Sequence, residues 1–278
     1  MRNYRHIEVN PVSGALGAEI AGVDMSKELD DEVVSEVRHA LLDHLVIFLR
    51  EQKVTPAQQV AFAKRFGQPI EYPQLKGLPE APMITPVVKL EHERNNFGGI
   101  WHSDTTYLQL PPMGSMLLAR EIPAYGGDTM FANQYLAYEA LSDGLKKALD
   151  GLIGVSSSSK ADVTKTREDR MKAAGAELKV LAAEHPLVRT HPETGRKCLF
   201  VNHSYTCRFE DMTEQESRPL LEFLLNYGHR PEFTCRFRWQ SGSIAFWDNR
   251  CTKHLAVHDA GPFHRRMQRT QIAGGPVV

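Results

Sequence analysis

The chain of 278 residues has no apolar run near the roughly 20 residues that a membrane-spanning helix needs. Its first residues, MRNYRHIEVNPVSG, lack the apolar core of a secretory signal peptide. Only four cysteines occur, and no two of them form a C-x-x-C pair, which argues against a disulfide scaffold. We therefore expect a cytoplasmic protein with reduced thiols and no membrane partner.

A charge excess of either sign is also missing. Lysine and arginine number 33 against 34 aspartates and glutamates, a formal net charge of −1. Such a balance gives no overall field that would attract nucleic acid, so any recognition of charge must be local. Repeats and linkers are absent as well, and we expect a single domain over residues 1–278. The most polar stretch, residues 156–175, is interpreted as a solvated loop or as a lid.

Capping residues and apolar periodicity in the sequence predict several helices. Thr55 with Gln58 and Thr213 with Glu216 have the spacing of capping boxes, each followed by apolar periodicity. The helices are predicted at residues 30–43, 55–66, 133–150 and 213–227.

The strands cluster later in the chain. VRTHPETGRKCLFVN and FTCRFRWQSGSIAFWDN each contain a turn between two extended runs, which is typical of hairpins. The segment RRMQRTQIAG near the end is also predicted to be a strand. The pattern favours an α+β, mainly β class, in which helices flank an antiparallel core of the double-sheet jelly-roll type.

The segment GGIWHSDTTYL places His102 and Asp104 two positions apart. On a strand, residues i and i+2 share a face, so an imidazole and a carboxylate would lie side by side. His254 is the best third ligand, and from spacing alone His258 competes with it. Two histidines and one carboxylate form the facial triad of non-haem Fe(II) oxygenases, and the same set can bind zinc.

Two further motifs suggest that anions bind nearby. Arg265 and Arg269 share one face of the last predicted strand, where buried guanidinium groups need anionic partners. The partners are either internal acids or a bound carboxylate or sulfonate. Thr129 follows the glycine turn of YGGDTMF and is predicted to begin a strand. Its hydroxyl either donates to such a carboxylate or belongs to an ordinary turn.

In order and spacing, these pieces together resemble the family of taurine dioxygenase and 2,4-dichlorophenoxyacetate dioxygenase. The resemblance covers almost the whole chain, from GALGAEIAGVD through WHSDTTY, YGGDTMF and IAFWDN to RRMQRTQIAG. It implies a double-stranded β-helix, a jelly-roll variant, with Fe(II), 2-oxoglutarate as co-substrate and O2 as oxidant. It also loosely implies a homo-oligomer, either a dimer or a tetramer.

The resemblance implies a role for each candidate residue. The iron ligands would be His102, Asp104 and His254, which leaves His258 without a role. Thr129 and Arg265 would hold the distal carboxylate of 2-oxoglutarate. Arg269 would reach the anionic group of the primary substrate, and Trp247 would lie near the iron on the substrate side.

The implied reaction hydroxylates a small organic anion at a carbon next to a heteroatom and releases succinate and CO2. The substrate would be an alkyl sulfonate, an alkyl sulfate or an aryloxyalkanoate. Taurine itself is disfavoured, because Tyr72-Pro73-Gln74-Leu75 stands where taurine dioxygenase has His-Pro-x-Tyr. We expect Tyr72, Leu75 and Thr105 to line the substrate pocket. The alternatives are a zinc hydrolase on the same triad and a non-catalytic jelly-roll binding protein.

Overall fold

The computed structural model describes residues 2–73, 75–93, 98–160, 179–259 and 261–278. The helices in these ranges are α1 (Asp31–His44), α2 (Pro56–Lys64), α3 (Gln134–Glu139), α4 (Asp143–Leu149) and α5 (Glu214–Tyr227). None of them is long and apolar enough to cross a membrane.

The strands outnumber the helices, and the chain is mainly β as predicted. In chain order they are β1 (Glu8–Pro11), β2 (Ala18–Ala21), β3 (Val46–Leu49), β4 (Pro69–Ile70), β5 (Ile84–Lys89), β6 (Gly114–Glu121), β7 (Thr129–Asn133), β8 (Ile153–Ser157), β9 (Ala182–Pro186), β10 (Val188–Thr190), β11 (Lys197–Leu199), β12 (Thr206–Phe209), β13 (Thr234–Phe237), β14 (Ile244–Asp248), β15 (Thr252–Ala256) and β16 (Arg265–Ile272).

Two sheets matter for the site. The main sheet has the order β1-β2-β3-β14-β6-β16-β4, with β5 also paired to β16. The small sheet has the order β13-β7-β15. Of the pairings described, only β2 with β3 is parallel. Two further groups, β12-β8-β9 and the β10–β11 hairpin, lie beside α5 and α3.

Alternation along the central strand β3 builds two cores. Val46 and Phe48 belong to the core between the main and small sheets, and Phe48 stacks on Phe237 at 3.9 Å between ring centroids. Ile47 and Leu49 point to the opposite face, where α1 and α2 cover the main sheet. Successive side chains of a strand point to opposite faces. One face of β3 therefore packs against the helices, and the other packs against the small sheet.

The helix starts follow their capping residues. Thr55 accepts from the Gln58 backbone at 3.3 Å and donates its own amide to the Gln58 side chain at 2.8 Å. The equivalent pair at Thr213 begins α5, so both predicted capping boxes are confirmed.

The single helix predicted over residues 133–150 is wrong, because α3 and α4 are separate. Ser142 lies between them with extended backbone, and its hydroxyl accepts from the Leu145 amide at 3.3 Å. The extended backbone at Ser142 interrupts the helical path, and the serine side chain caps the start of a new helix.

The hairpin predicted at residues 240–243 is also wrong. The turn exists, with the Ser243 amide bonded to the Gln240 carbonyl at 2.9 Å. However, β13 pairs with β7 in the small sheet, whereas β14 pairs with β3 and β6 in the main sheet. Alternation identifies a strand but not its partner, and here the turn carries the chain from one sheet to the other. The other predicted hairpin, β10–β11, is confirmed.

The polar stretch 156–175 falls mostly outside the described residues. Its first part contains the end of β8 and a single 3-10 turn at Ser158–Lys160. The lid interpretation concerns residues 161–175, which are not described.

Candidate active site

The His-x-Asp segment is not the strand that its composition predicts. His102 makes one isolated antiparallel bridge to His254, with backbone hydrogen bonds of 3.0 and 2.7 Å. Beyond it the chain turns, and Thr105 adopts a left-handed φ of 46°. The two backbones therefore join at the histidines, and the turn brings the Asp104 carboxylate back toward both rings.

His102, Asp104 and His254 form a compact cluster between the two sheets. The Asp104 Oδ1 atom lies 3.7 Å from the His102 Nε2 atom and 3.9 Å from the His254 Nε2 atom. One potential ligand atom from each residue fits within 4.8 Å of the others. All three are buried, whereas the competing His258 is exposed.

The electrostatics of the cluster suit a divalent cation. Burial lowers the pKa of His102 and of His254, so both rings are neutral near pH 7. Burial alone would raise the pKa of Asp104, but Arg269 and the two histidines bring it down to about 2. Two neutral imidazoles and an ionised carboxylate are the protonation states in which these residues bind a metal.

Neighbouring groups fix the orientation of the cluster. The His102 Nδ1 atom lies 2.7 Å from the Ile100 carbonyl, which places the proton there and leaves the Nε2 lone pair directed inward. Ser115 donates to Asp104 Oδ2 at 2.7 Å. Asn249 accepts from the Asp104 amide at 2.6 Å and donates to its carbonyl at 3.1 Å. These contacts hold the segment without using Asp104 Oδ1.

Trp247 packs against the second histidine. Its ring centroid lies 4.6 Å from that of His254 and 5.8 Å from that of Phe131, and the side chain is buried. The family resemblance implies a position for Trp247 near the iron on the substrate side. The described contacts put it against the His254 ring.

The last strand carries both arginines inward, as the alternation predicts. Arg265 and Arg269 are buried, whereas Arg266 between them is exposed. The Arg265 Nε and Nη2 atoms meet no hydrogen-bond partner among the described residues. Burial lowers the pKa of Arg265 to about 10, and Asp128 offsets this only in part. A buried guanidinium with such donors is suited to a carboxylate.

Thr129 begins β7, as predicted, and is linked to Arg265 through Trp239. Its Oγ1 atom accepts a hydrogen bond of 2.9 Å from the indole Nε1 of Trp239. The Arg265 Cζ atom in turn lies 5.9 Å from the centroid of the Trp239 ring. Threonine, arginine and tryptophan therefore form one small polar group at the edge of the inter-sheet core.

Arg269 contacts both the cluster and a group of aromatic side chains. Its Nη1 atom is 3.2 Å from Asp104 Oδ1, and its Cζ atom is 4.5 Å from the centroid of the Tyr72 ring. Tyr107 and Tyr205 also interact electrostatically with Arg269 and pack edge to face, with 5.0 Å between their ring centroids.

Of the residues predicted to line the substrate pocket, Tyr72 contacts Arg269. Thr105 is buried in the turn after Asp104, and Leu75 is half-buried.

Sequence reasoning did not identify five side chains of this region: Ser115, Asn249, Trp239, Tyr107 and Tyr205. Asn249 follows Trp247 within the quoted WDN segment, and Tyr107 lies three residues beyond Asp104, so proximity to a motif was the available signal. Ser115, Trp239 and Tyr205 carry no such signal, because they come from separate elements.

A second group, His191, Asp248 and Cys251, also has metal-ligand spacing. Its carboxylate is already engaged, since Arg250 contacts both Asp248 oxygens at 2.8 and 2.7 Å and His191 lies 3.0 Å away. These bonds explain the group as an ion network that fixes the turn between β14 and β15.

The chain is similar to known proteins over nearly its whole length. The family described as "Taurine catabolism dioxygenase TauD, TfdA family" matches residues 8–271. An alkylsulfatase of Acinetobacter baylyi is 35% identical over 97% of this chain and 86% of its own length. An alpha-ketoglutarate-dependent sulfate ester dioxygenase of Pseudomonas putida is 35% identical over 96% of this chain and 90% of its own.

A solved structure shares the fold. The crystal structure of a taurine dioxygenase from Burkholderia xenovorans has a TM-score of 0.84 and 40% identity. The match covers 99% of this chain and 93% of that one. The likeness therefore extends over both sheets and the flanking helices.

Proposed function

The chain belongs to the TauD/TfdA family of dioxygenases, and on this premise we propose that it hydroxylates a small organic anion at a carbon next to a heteroatom. Fe(II), 2-oxoglutarate and O2, the cofactors expected from the sequence, are those of this family. The observation that carries the proposal is a buried His-Asp-His cluster flanked by two inward arginines.

His102, Asp104 and His254 would hold Fe(II). The fit rests on their neutral rings and ionised carboxylate, and on the lack of a hydrogen bond to either Nε2 atom among the described residues. The bound ion supplies a centre at which O2 and 2-oxoglutarate react, with release of succinate and CO2 and transfer of one oxygen atom to substrate carbon. The protein excludes bulk water, because the whole cluster is buried.

Arg265 and Thr129 would hold the distal carboxylate of 2-oxoglutarate. The guanidinium offers two buried donors without a described partner, and both it and the threonine hydroxyl contact Trp239. A fixed far end orients the co-substrate before the oxidation begins. Arginine suits this role, since its planar fork binds a carboxylate through two parallel hydrogen bonds.

Arg269 would bind the anionic group of the primary substrate, with Tyr72, Thr105, Leu75 and Trp247 as candidate lining. The aromatic groups around the arginine provide an apolar wall for the rest of the molecule. We propose an alkyl sulfate ester as substrate, because two relatives at 35% identity are named for sulfate esters. Hydroxylation beside the ester oxygen gives an unstable product, which separates into an aldehyde and sulfate.

An aryloxyalkanoate is the second candidate. The aromatic surroundings of Arg269 favour it, since Tyr72, Tyr107 and Tyr205 can pack on an aromatic ring. The zinc hydrolase and the non-catalytic binding protein are disfavoured, because the relatives are named as enzymes and two of those names specify a dioxygenase.

Three wider properties belong to the same proposal. We infer a double-stranded β-helix core, supported by the packing of the main and small sheets around one apolar interior. Cytoplasmic location is supported by the four unpaired cysteines, all within the described residues. We also propose that the chain forms a single domain over residues 1–278 and assembles as a dimer or tetramer.

The test is succinate formation with Fe(II), ascorbate and 2-oxoglutarate against alkyl sulfates, alkyl sulfonates, taurine and both enantiomers of aryloxypropionates. Sulfate, sulfite and phenol are measured alongside. Sulfate release with alkyl sulfates supports the proposal, and phenol release supports the second candidate. No succinate from the iron-loaded protein with any compound contradicts the oxygenase.

A further inference from the structure

Trp239 is a buried side chain to which the proposed function assigns no role. It lies two residues beyond β13, just before the turn that leads to β14. Its ring meets Phe237 edge to face at 4.9 Å, and its Nε1 atom donates to Thr129 Oγ1 at 2.9 Å. The indole therefore connects the turn between the sheets to the first residue of β7.

The hydrogen bond fixes how Thr129 can act. An indole N–H only donates, so the Thr129 oxygen must be the acceptor in this contact. The hydroxyl hydrogen is then left to donate in another direction, and no described residue accepts it. Without the indole, the same hydroxyl could rotate and present either its hydrogen or its lone pairs.

Arg265 completes the arrangement. Its Cζ atom lies 5.9 Å from the Trp239 ring centroid, and its Nε and Nη2 donors are buried. Two donating groups, one from β7 and one from β16, therefore lie around the same indole. Asp128 also acts on Arg265, but its carboxylate is bonded to Arg236 at 2.7 Å. Donors from Thr129 and Arg265 suit a carboxylate and disfavour a neutral group that would leave them unpaired.

We propose that Trp239 is a positioning residue for the co-substrate: its indole N–H sets the Thr129 hydroxyl to donate to the distal carboxylate of 2-oxoglutarate. This inference rests on the proposed roles of Thr129 and Arg265. It extends them by assigning part of co-substrate recognition to a residue that does not touch the co-substrate.

The first experiment measures the affinity of the Fe(II)-loaded protein for 2-oxoglutarate, as a Kd, by anaerobic calorimetry. Trp239→Phe should weaken binding by about three- to tenfold, the usual effect of one hydrogen bond. Thr129→Val should weaken it to a similar degree, and the double variant should be no weaker than Thr129→Val alone. Additive losses in the double variant would overturn the proposal.

The second experiment uses 2-oxopentanoate, which keeps the keto acid but has no distal carboxylate. Trp239→Phe should leave its Kd unchanged, since the Thr129 hydroxyl has no carboxylate to meet. Equal weakening of both keto acids would show general loss of packing and overturn the proposal. Phe237→Leu serves as the matched control, because it alters the packing of the same indole without removing a hydrogen bond.

Arg265→Gln separates this inference from the proposed function. If Arg265→Gln weakens 2-oxoglutarate binding but Trp239→Phe does not, the pocket is right and the role of Trp239 is wrong. If neither change weakens binding, the proposed co-substrate pocket is wrong, and the role of Trp239 is wrong with it. Should Trp239→Phe fold poorly, Trp239→His keeps a ring N–H donor and should retain discrimination between the two keto acids.

Discussion

Arg269 Nη1 lies 3.2 Å from Asp104 Oδ1, the same oxygen that faces the Nε2 atoms of His102 and His254. One carboxylate oxygen thus lies between the proposed metal position and the proposed substrate anchor. Burial alone would lower the pKa of Arg269, but Asp104 raises it above its ordinary value. The charge of the proposed metal ligand Asp104 thus also favours the charged form of Arg269, the proposed substrate anchor, and this couples the two proposed sites electrostatically.

Asp104→Ala should abolish succinate formation, because it removes one of the three proposed metal ligands and the charge that would balance the cation. Metal content after equilibrium dialysis against Fe(II) should fall with the activity. Asp143→Ala, an exposed carboxylate on α4, is the matched control and should change neither quantity. Succinate production at the normal rate by Asp104→Ala would remove the triad assignment.

Asn249→Ala should weaken metal binding by about 10- to 100-fold, the usual effect of losing a group that orients a ligand. The side chain bonds both the amide and the carbonyl of Asp104, so its loss leaves buried backbone groups unpaired. The free energy of unfolding should fall by about 1–3 kcal/mol. Urea denaturation and metal titration measure the two effects, with exposed Asn226→Ala on α5 as control. Unchanged metal affinity would count against this role.

Tyr107→Phe should raise the KM of the primary substrate by about tenfold, because the hydroxyl interacts with Arg269 and is expected to donate to the anion bound there. The hydroxyl is buried and interacts with the Tyr72 side chain, so its removal should lower the free energy of unfolding by no more than about 1 kcal/mol. The co-substrate KM should stay the same. Tyr125→Phe is the exposed control. A rise in both KM values would indicate a general disturbance instead.

Acid should destabilise the protein partly through His203. Burial, with Lys253 and His229 nearby, lowers the pKa of His203 to about 3. The unfolded chain takes up this proton near pH 6.5, so the contribution is fully present above that pH and is lost as pH falls toward 3. His203→Gln should reduce the stability lost between pH 7.5 and 5.5 by about 1 kcal/mol. Urea midpoints at the two pH values measure this, and identical losses in both proteins would contradict it.

The sequence determined the local features of this protein. Both capping boxes, the inward alternation of Arg265 and Arg269, and the start of β7 at Thr129 follow from residues close together in the chain. The choice of His254 over His258 did not follow from spacing. It came from the resemblance to the dioxygenase family, in which His258 has no role.

Only the tertiary structure decided how these features meet. The His-x-Asp segment lies on a single bridge and a turn, and β13 and β14 belong to different sheets. The hydrogen bond from Trp239 to Thr129 spans 110 positions of sequence. Local sequence patterns predict the face on which a side chain lies and the residue at which a helix or strand begins, since both depend on the nearby backbone. Pairing between distant strands depends on the packing of the whole core, and that packing brings Trp239, Tyr107 and Tyr205 to the site.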